Sequence, residues 1–317
     1  MKSRVKTPAA RRLRHAVLLL ALTATAAAGQ DLPMIDAVPG PRFGPAPGDG
    51  PMLPSDVAIG AGGRVYVVDG ARHRVARFDA DGARLGYFGA EGGGDGELQG
   101  PVGIGIAPGG TVYVADRGND RIQVFDPDGT FRRTLVVSAE ATAVTPVDVA
   151  VSADGHTLFI TANDSHRVVV AAARDGAFEF AWGGFGSDPG AFRYPATVAL
   201  GGTGDVLVVD VLNQRVQVFD PSGTTKGSIG ELGAKPGSFL RPKGVTTDRD
   251  GRIFVSDSYL GVIQLFAPTG AFIGVLAVAG EPRRFETPTG LAWAAGRLYV
   301  TDMLAGAVFS FDVGATP

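Results

Sequence analysis

Cysteine is absent from the 317-residue chain, which excludes disulfide bonds and thiolate metal sites. Basic side chains are few, with 29 Lys and Arg against 32 Asp and Glu. Six of the 29 lie in the first 28 residues, so the remaining 23 leave a formal charge of −9 on residues 29–317. A polyanion-binding surface needs clustered basic side chains, and we therefore expect no nucleic-acid partner.

A long apolar run is also missing. The run from Ala16 to Ala28 has about 13 residues, whereas a membrane-spanning helix needs roughly 20. A basic stretch precedes this run and small residues end it, which predicts a signal peptide over residues 1–28. An uncleaved N-terminal anchor is the alternative. We expect an extracytoplasmic protein, periplasmic, secreted or envelope-associated, whose mature chain has no transmembrane span.

Six similar units follow one another along the chain, each opened by a proline. The opening residues are Pro54, Pro101, Pro146, Pro195, Pro242 and Pro288. Inside each unit, short β-branched and aromatic runs alternate with turn sequences such as Asp126-Pro127-Asp128-Gly129, which has a type I turn signature. This predicts four short antiparallel strands per unit. Because one small sheet cannot bury both of its faces, the repeats predict an all-β, six-bladed propeller.

The last unit stops at Asp312 after three strands, so its fourth strand must come from elsewhere. Residues 32–38, followed by Phe43 and a Gly-rich stretch, match an outer strand and its linker. We expect this N-terminal segment to complete the last blade and close the ring. Residues 29–317 then form a single domain.

The repeat has four recurring parts: an opening Pro, a Val-x-Val-x-Asp strand end, a polar loop with Asn or His before Arg, and Val-x-Val-Phe-Asp. In these parts it resembles the NHL-repeat family from about Phe43 to Phe311. The resemblance implies a β-propeller. It does not select a function, because members serve as sensor ectodomains, RNA-binding modules, protein scaffolds and, in a few relatives, lyases.

An acid ends the second strand of several units, and an arginine follows five residues later. The pairs are Asp69 with Arg74, Asp116 with Arg121, and Asp210 with Arg215. Because a catalytic group is usually singular, we interpret these as structural ion pairs that close the loop between the second and third strands. Units five and six keep Asp257 and Asp302 without the arginine, so we expect these two carboxylates to be free for donors elsewhere.

Histidine is scarce outside the leader, where only His73, His156 and His166 occur. His73 and His166 occupy matching loop positions, which favours a structural role, and His156 lies in a turn on the opposite face. Propeller lyases of this general fold use a histidine cluster to hold zinc. Three histidines split between two faces do not reproduce that cluster.

The channel mouth of a propeller is lined by residues just after each opening proline. Asp56, Asp148 and Lys243 are the charged candidates there, and we expect the two separated acids to be solvated rim residues. No cofactor is predicted, and calcium held partly by backbone oxygens is the one that this rim leaves open.

Loops between the second and third strands become apolar in the last three units. The apolar residues are Leu212, Tyr259, Leu260, Met303 and Leu304. If they are contiguous, they predict a surface for a protein partner; alternatively, the long linkers fold over and bury them. The leading hypothesis is an exported binding or scaffolding module, compatible with a monomer. The alternative is a small-ligand or metal-dependent lyase or hydrolase acting at the channel mouth, so enzyme activity is uncertain and less expected than binding.

Overall fold

The computed structural model describes residues 32–45, 48–139 and 142–314. The predicted signal peptide lies outside these residues. No helix within the described part of the chain is long and apolar enough to cross a membrane. The described chain is built from strands, and short 3-10 turns, such as Gly70–Arg72, Arg117–Asn119 and Val211–Asn213, follow the second strand of three repeats.

The first described strand is β1 (Met34–Phe43), and four separate antiparallel sheets of four strands follow it. Blade one is β2 (Pro54–Ile59), β3 (Val65–Asp69), β4 (Arg74–Phe78) and β5 (Arg84–Phe88). Blade two is β6 (Ile104–Ile106), β7 (Val112–Asp116), β8 (Arg121–Phe125) and β9 (Phe131–Leu135). A small hairpin, β10 (Ser138–Ala139) with β11 (Thr142–Ala143), comes next.

Blade three is β12 (Pro146–Val151), β13 (Thr157–Ala162), β14 (Arg167–Ala172) and β15 (Phe178–Gly183). Blade four is β16 (Pro195–Leu200), β17 (Val206–Asp210), β18 (Arg215–Phe219) and β19 (Thr225–Ile229). Each of the four opening prolines lies at or just before the first strand of its blade. The second strands, such as β7, are buried along their whole length because sheets cover both of their faces.

The last two repeats share one nine-stranded sheet. Repeat five supplies β20 (Pro242–Thr247), β21 (Ile253–Asp257), β22 (Val262–Phe266), β23 (Phe272–Val278) and the short β24 (Glu281–Pro282). Repeat six supplies β25 (Pro288–Ala294), β26 (Arg297–Asp302) and β27 (Ala307–Val313).

Strand β1 joins these two groups. Its later residues pair antiparallel with β27, with Val38 opposite Asp312, so it takes the outer position expected for the N-terminal segment. Its first residues pair in parallel with β23, with Ile35 opposite Leu276. The expectation of six separate blades is therefore wrong: the described chain has four, and a nine-stranded sheet holds the strands of the last two repeats. The reason is that β1, with ten residues, is long enough to bond to both neighbours.

The first strands of the six repeats surround the channel. Each contacts the next in chain order, from β2 through β6, β12, β16, β20 and β25, and β25 contacts β2. Side-chain hydrogen bonds join several neighbours: Ser55 Oγ donates to the carbonyl of Val102 and Thr197 Oγ1 donates to that of Lys243, each at 2.7 Å. Between adjacent sheets lie apolar clusters, as where the rings of Phe88 and Phe125 pack 4.6 Å apart.

Candidate functional site

A cavity of about 480 Å³ opens at one end of the channel, on the face that carries the loops between second and third strands. Residues just after the opening prolines form its floor, and those loops form its rim. Its charged and amide side chains are Asp56, Asp148, Lys243, Arg117, Arg241 and Asn163. The structure thus brings all three charged channel-mouth candidates into one cavity.

Asp56 and Asp148 are buried at the cavity floor, with 7% and 5% of their surfaces exposed, so the expectation of solvated rim acids is wrong. The two carboxyl groups hydrogen-bond to each other. Main-chain N–H groups also donate to them: that of Ile104 to Asp56 Oδ2 at 3.0 Å, and that of Val198 to Asp148 Oδ2 at 2.9 Å. Asp56 therefore joins blade one to blade two, and Asp148 joins blade three to blade four.

Glycines make this meeting of carboxyl groups possible. A Cβ atom at Gly103 would collide with Asp148 Oδ1, and one at Gly290 would collide with Asp56 Oδ1. Gly103 lies on blade two, between the blades that carry the two acids, so its missing side chain leaves the space in which they meet. The sequence contains this signal, because the second residue after the opening proline is Asp in repeats one and three and Gly in repeats two, five and six.

Burial raises the pKa of both acids because a carboxylate loses its hydration there. The pKa of Asp148 rises to about 6, although the N–H groups of Val198 and Val149 partly oppose the rise. The pKa of Asp56 is raised well above its ordinary value, first by burial and then by the charge of Asp148. The pair therefore holds a shared proton to a higher pH than two separate carboxyl groups would, with one carboxyl as donor and the other as acceptor. Such a pair can exchange a proton with a neighbouring group.

Three cations lie around the acids. Lys243 is half-buried in the cavity wall, and Arg117 and Arg241 are exposed at its mouth. Burial lowers the pKa of Lys243, and the charge of Arg241 lowers it further. Within the described residues, none of the three cationic groups has a carboxylate within 4.0 Å. Sequence reasoning found Lys243 and missed both arginines, although Arg241 directly precedes an opening proline.

The five apolar loop residues do not form one patch. Leu260 is buried, with 6% of its surface exposed, in a cluster that includes Ala234 and Leu240 of the preceding linker. The alternative that a linker buries these residues is therefore correct for Leu260. Leu212 and Met303 line the cavity instead.

Tyr259 is half-buried and lies outside the cavity lining, whereas Leu304 is 61% exposed and also lies outside it. Sequence reasoning missed other exposed apolar side chains. Tyr194 lines the cavity rim at 48% exposure, and Phe185 and Leu232, in the linkers of the same face, are 67% and 68% exposed.

The three acid–arginine pairs are all present. The Nε atoms of Arg74, Arg121 and Arg215 lie 3.3, 2.7 and 2.9 Å from the carboxylates of Asp69, Asp116 and Asp210.

The acids of repeats five and six are not free for outside donors, so that expectation is wrong. Asp257 accepts the N–H of Leu240 at 2.7 Å, and Asp302 accepts that of Glu286 at 2.7 Å. Both acids are buried. Because the acid of every such repeat holds the linker that precedes an opening proline, these bonds position the first strand and the cavity residues on it.

Two of the histidines have matching structural bonds. His73 Nδ1 accepts the N–H of Gly100 at 2.8 Å, and His166 Nδ1 accepts that of Tyr194 at 3.2 Å. His156 lies in the turn between β12 and β13, away from both. In the part of the chain that the structure describes, no three His, Asp or Glu side chains are grouped to hold a metal ion. The calcium hypothesis stays a prediction.

A second, larger cavity of about 810 Å³ lies at the opposite end of the channel, beside Trp293 and Arg252. Arg252 is already buried against Asp248, with Nε and Oδ2 2.5 Å apart, and its Nη1 donates to the carbonyl of Gly314 at 2.9 Å. Its charge is therefore satisfied by the fold, unlike that of Lys243. The channel-mouth cavity is the better candidate despite its smaller volume.

Comparisons with solved structures agree on the fold. Virginiamycin B lyase from Staphylococcus aureus aligns with a TM-score of 0.57 and 14% identity over 81% of this chain and 80% of its own. A gluconolactonase from Xanthomonas campestris aligns with a TM-score of 0.63 and 15% identity over 88% and 97%. Hydrazine synthase from Kuenenia stuttgartiensis aligns with a TM-score of 0.60 and 12% identity over 86% and 100%. At these identities the likeness shows the fold alone.

No curated protein sequence matches the chain. The model of the NHL repeat matches it in three places, at residues 52–78, 98–125 and 192–219. Each match begins in the linker, a few residues before an opening proline, and ends at the last residue of the third strand of a blade. The matched unit is therefore the repeat seen in the structure. These matches and the propeller architecture show that the chain contains NHL repeats and folds as a β-propeller.

Proposed function

We propose that this propeller binds a small ligand in the channel-mouth cavity. The observation that carries the proposal is the convergence, in one cavity, of a buried acid pair, apolar rim side chains and a half-buried lysine that has no ion-pair partner among the described residues. Small-molecule sites are typically concave, largely apolar, and supplied with a few placed polar groups, in cavities of about 300–1,000 Å³. The cavity, at about 480 Å³, has this size and composition.

Binding is better supported than catalysis. Three of the four carboxylate oxygens already accept main-chain N–H groups, namely Asp56 Oδ2, Asp148 Oδ1 and Asp148 Oδ2. These bonds fix the acids in the ring and leave little freedom for them to reach a substrate. A lyase or hydrolase role is the extension of this proposal, in which the shared proton of the acid pair would be transferred to the bound ligand. The lyase and the gluconolactonase with the same fold are consistent with it.

We further propose that the nine-stranded sheet serves as two blades, so that the ring has six sectors around the ligand. The closed circle of six first strands supports this. The leader sequence supports an extracytoplasmic location, where the cavity would face ligands outside the cytoplasm.

A plugged cavity tests the ligand proposal. Met303→Trp places a large ring in the cavity, whereas Leu304→Trp adds the same ring at the neighbouring exposed position outside it. A thermal-shift screen of a metabolite library should find compounds that stabilise the natural sequence and Leu304→Trp but not Met303→Trp. Equal stabilisation of all three proteins would place the binding elsewhere and overturn the proposal.

Docking of a protein partner is the second candidate, and exposed apolar side chains on the mouth face favour it. Leu304, Phe185 and Leu232 are each more than 60% exposed. A double variant with Leu304→Asp and Leu232→Asp should keep the melting temperature but lose a partner recovered by affinity purification from the native envelope. Unchanged recovery would remove this candidate, and Met303→Trp would leave such a partner bound.

A further inference from the structure

The ligand class can be argued from the charges and the strained backbone of the cavity rim. We infer that the cavity takes a small organic anion with an apolar ring, its acid group held by Lys243 and Arg241 and its ring packed against Tyr194. This inference rests on the proposed ligand site and names its chemistry.

Lys243 has no counter-charge among the described residues. The residue is half-buried, and in this part of the chain no acceptor lies within hydrogen-bond distance of its ammonium group. Arg241, two residues away at the mouth, adds a second positive charge and no compensation. A partly desolvated charge without a partner destabilises the fold, so its retention in a cavity indicates a partner that arrives from solution. That partner must be an anion.

The acid pair does not neutralise Lys243. Among the described residues, no carboxylate oxygen lies within 4.0 Å of the ammonium group of Lys243, those of Asp56 and Asp148 included. Because three cations, Lys243, Arg241 and Arg117, share the cavity with only two acids, the cavity keeps an excess of positive charge. A neutral or cationic ligand would leave that excess in place.

Tyr194 indicates the apolar part of the ligand. It directly precedes an opening proline and adopts a left-handed backbone with φ 60°, which is unfavourable for a bulky side chain. Blade two has Gly100 at the same place, with φ 54°, and the same hydrogen bond from its N–H to a histidine. Glycine is thus sufficient for the fold, whereas tyrosine adds strain, and strained residues cluster at functional sites.

The rest of the rim agrees with an apolar ring. Tyr194 is 48% exposed and shares the cavity lining with Leu212 and Met303. A bare inorganic anion would leave these side chains uncovered. The apolar rim and the cations beside it therefore fit a ligand with both an acid group and a ring.

Two probes of the same shape separate charge from ring packing: 2-naphthoate, an anion, and 2-naphthamide, its neutral twin. Titrations of the full protein should give at least tenfold tighter binding of 2-naphthoate. Lys243→Met should reduce this ratio, and Lys243→Met combined with Arg241→Met should reduce it to about one, in each case without lowering the melting temperature. Tyr194→Gly should weaken both probes and leave the protein folded, because glycine adopts this left-handed backbone without strain. Inorganic phosphate at the same concentration should not displace 2-naphthoate.

Each contrary result has a distinct meaning. Equal affinities for the two probes, both lost in Met303→Trp, would overturn the inference that the ligand is an anion, while the ligand site itself would stand. Displacement by phosphate, or unchanged binding in Tyr194→Gly, would overturn the inference that the ligand carries an apolar ring. Binding of neither probe would overturn the ligand class, while binding of both that survives Met303→Trp would overturn the site itself.

Discussion

Replacing Asp148 by asparagine should change the way in which the stability of the protein depends on pH. The folded pKa of Asp148 is about 6, above its ordinary value of 3.8. Below pH 3.8 the carboxyl group is protonated in both the folded and the unfolded chain, so burying it carries no cost of ionisation and the stability of the fold is at its highest with respect to this group. Between pH 3.8 and 6 the unfolded chain loses this proton and the folded chain keeps it, so the stability of the fold declines as the pH rises.

The size of the decline follows from the two pKa values. A rise from 3.8 to about 6 corresponds to about 3 kcal/mol, reached above pH 6 and constant thereafter. Asparagine cannot ionise and escapes this loss. The two oxygens of Asp148 each accept a main-chain N–H, from Val149 and from Val198. Asparagine has only one side-chain oxygen, so one of these two hydrogen bonds is lost, which costs about 1 kcal/mol at every pH. Asp148→Asn should therefore be less stable than the natural sequence at pH 4 and more stable, by about 2 kcal/mol, at pH 7.

Urea denaturation at pH 4, 5, 6 and 7 measures this difference directly. Asp154→Asn is the matched control, because Asp154 is an exposed turn residue whose pKa is lowered by the hydroxyl of Ser152. A carboxylate whose pKa is lowered in the folded protein stabilises the fold at pH values above its ordinary pKa, and this stabilisation is lost as the pH falls. Asp154→Asn should therefore lose stability relative to the natural sequence as the pH rises, which is the opposite of the trend for Asp148→Asn. A stability difference for Asp148→Asn that is equal at pH 4 and pH 7 would refute the buried, proton-sharing pair.

Three further changes test the fold. Arg121→Ala should lower the free energy of unfolding by about 3–5 kcal/mol, because Arg121 bonds to Asp116 and to three linker carbonyls. In the same urea titration, Arg74→Ala should lower it less, because Arg74 makes a single 3.3 Å hydrogen bond, to Asp69. Deleting residues 32–40 should expose the edges of β23 and β27 and cause aggregation, visible by light scattering; soluble protein with an unchanged melting temperature would contradict this. Leu260→Asp should unfold the protein in a thermal melt, and Leu304→Asp should not, because only Leu260 is buried.

Sequence reasoning succeeded where structure is set locally and repeated. The strand and turn pattern within each repeat, the pairs such as Asp116 with Arg121, and the outer position of β1 beside β27 were all visible, because each depends on neighbouring residues or on comparison between repeats. It failed where distant segments decide. The parallel pairing of Ile35 with Leu276 has no local signal, so the merging of the last two repeats was missed.

The site was predicted only in outline for the same reason. The positions after each opening proline were correctly expected to face the channel mouth, but the meeting of Asp56 with Asp148 depends on the empty space at Gly103, in another blade. The burial of Leu260 likewise depends on how the linker from Glu231 to Leu240 packs above it. Burial of a loop residue is a tertiary property, and the apolar sequence of the loop gives no sign of it.

The central claim is that the channel mouth is a ligand site, and the position of a bound compound tests it most directly. A crystal structure with the strongest hit of the thermal-shift screen should show electron density between Lys243, Tyr194 and Met303, above the buried Asp148. Density at the opposite end of the channel, beside Trp293, or on the outer surface of a blade would contradict the claim.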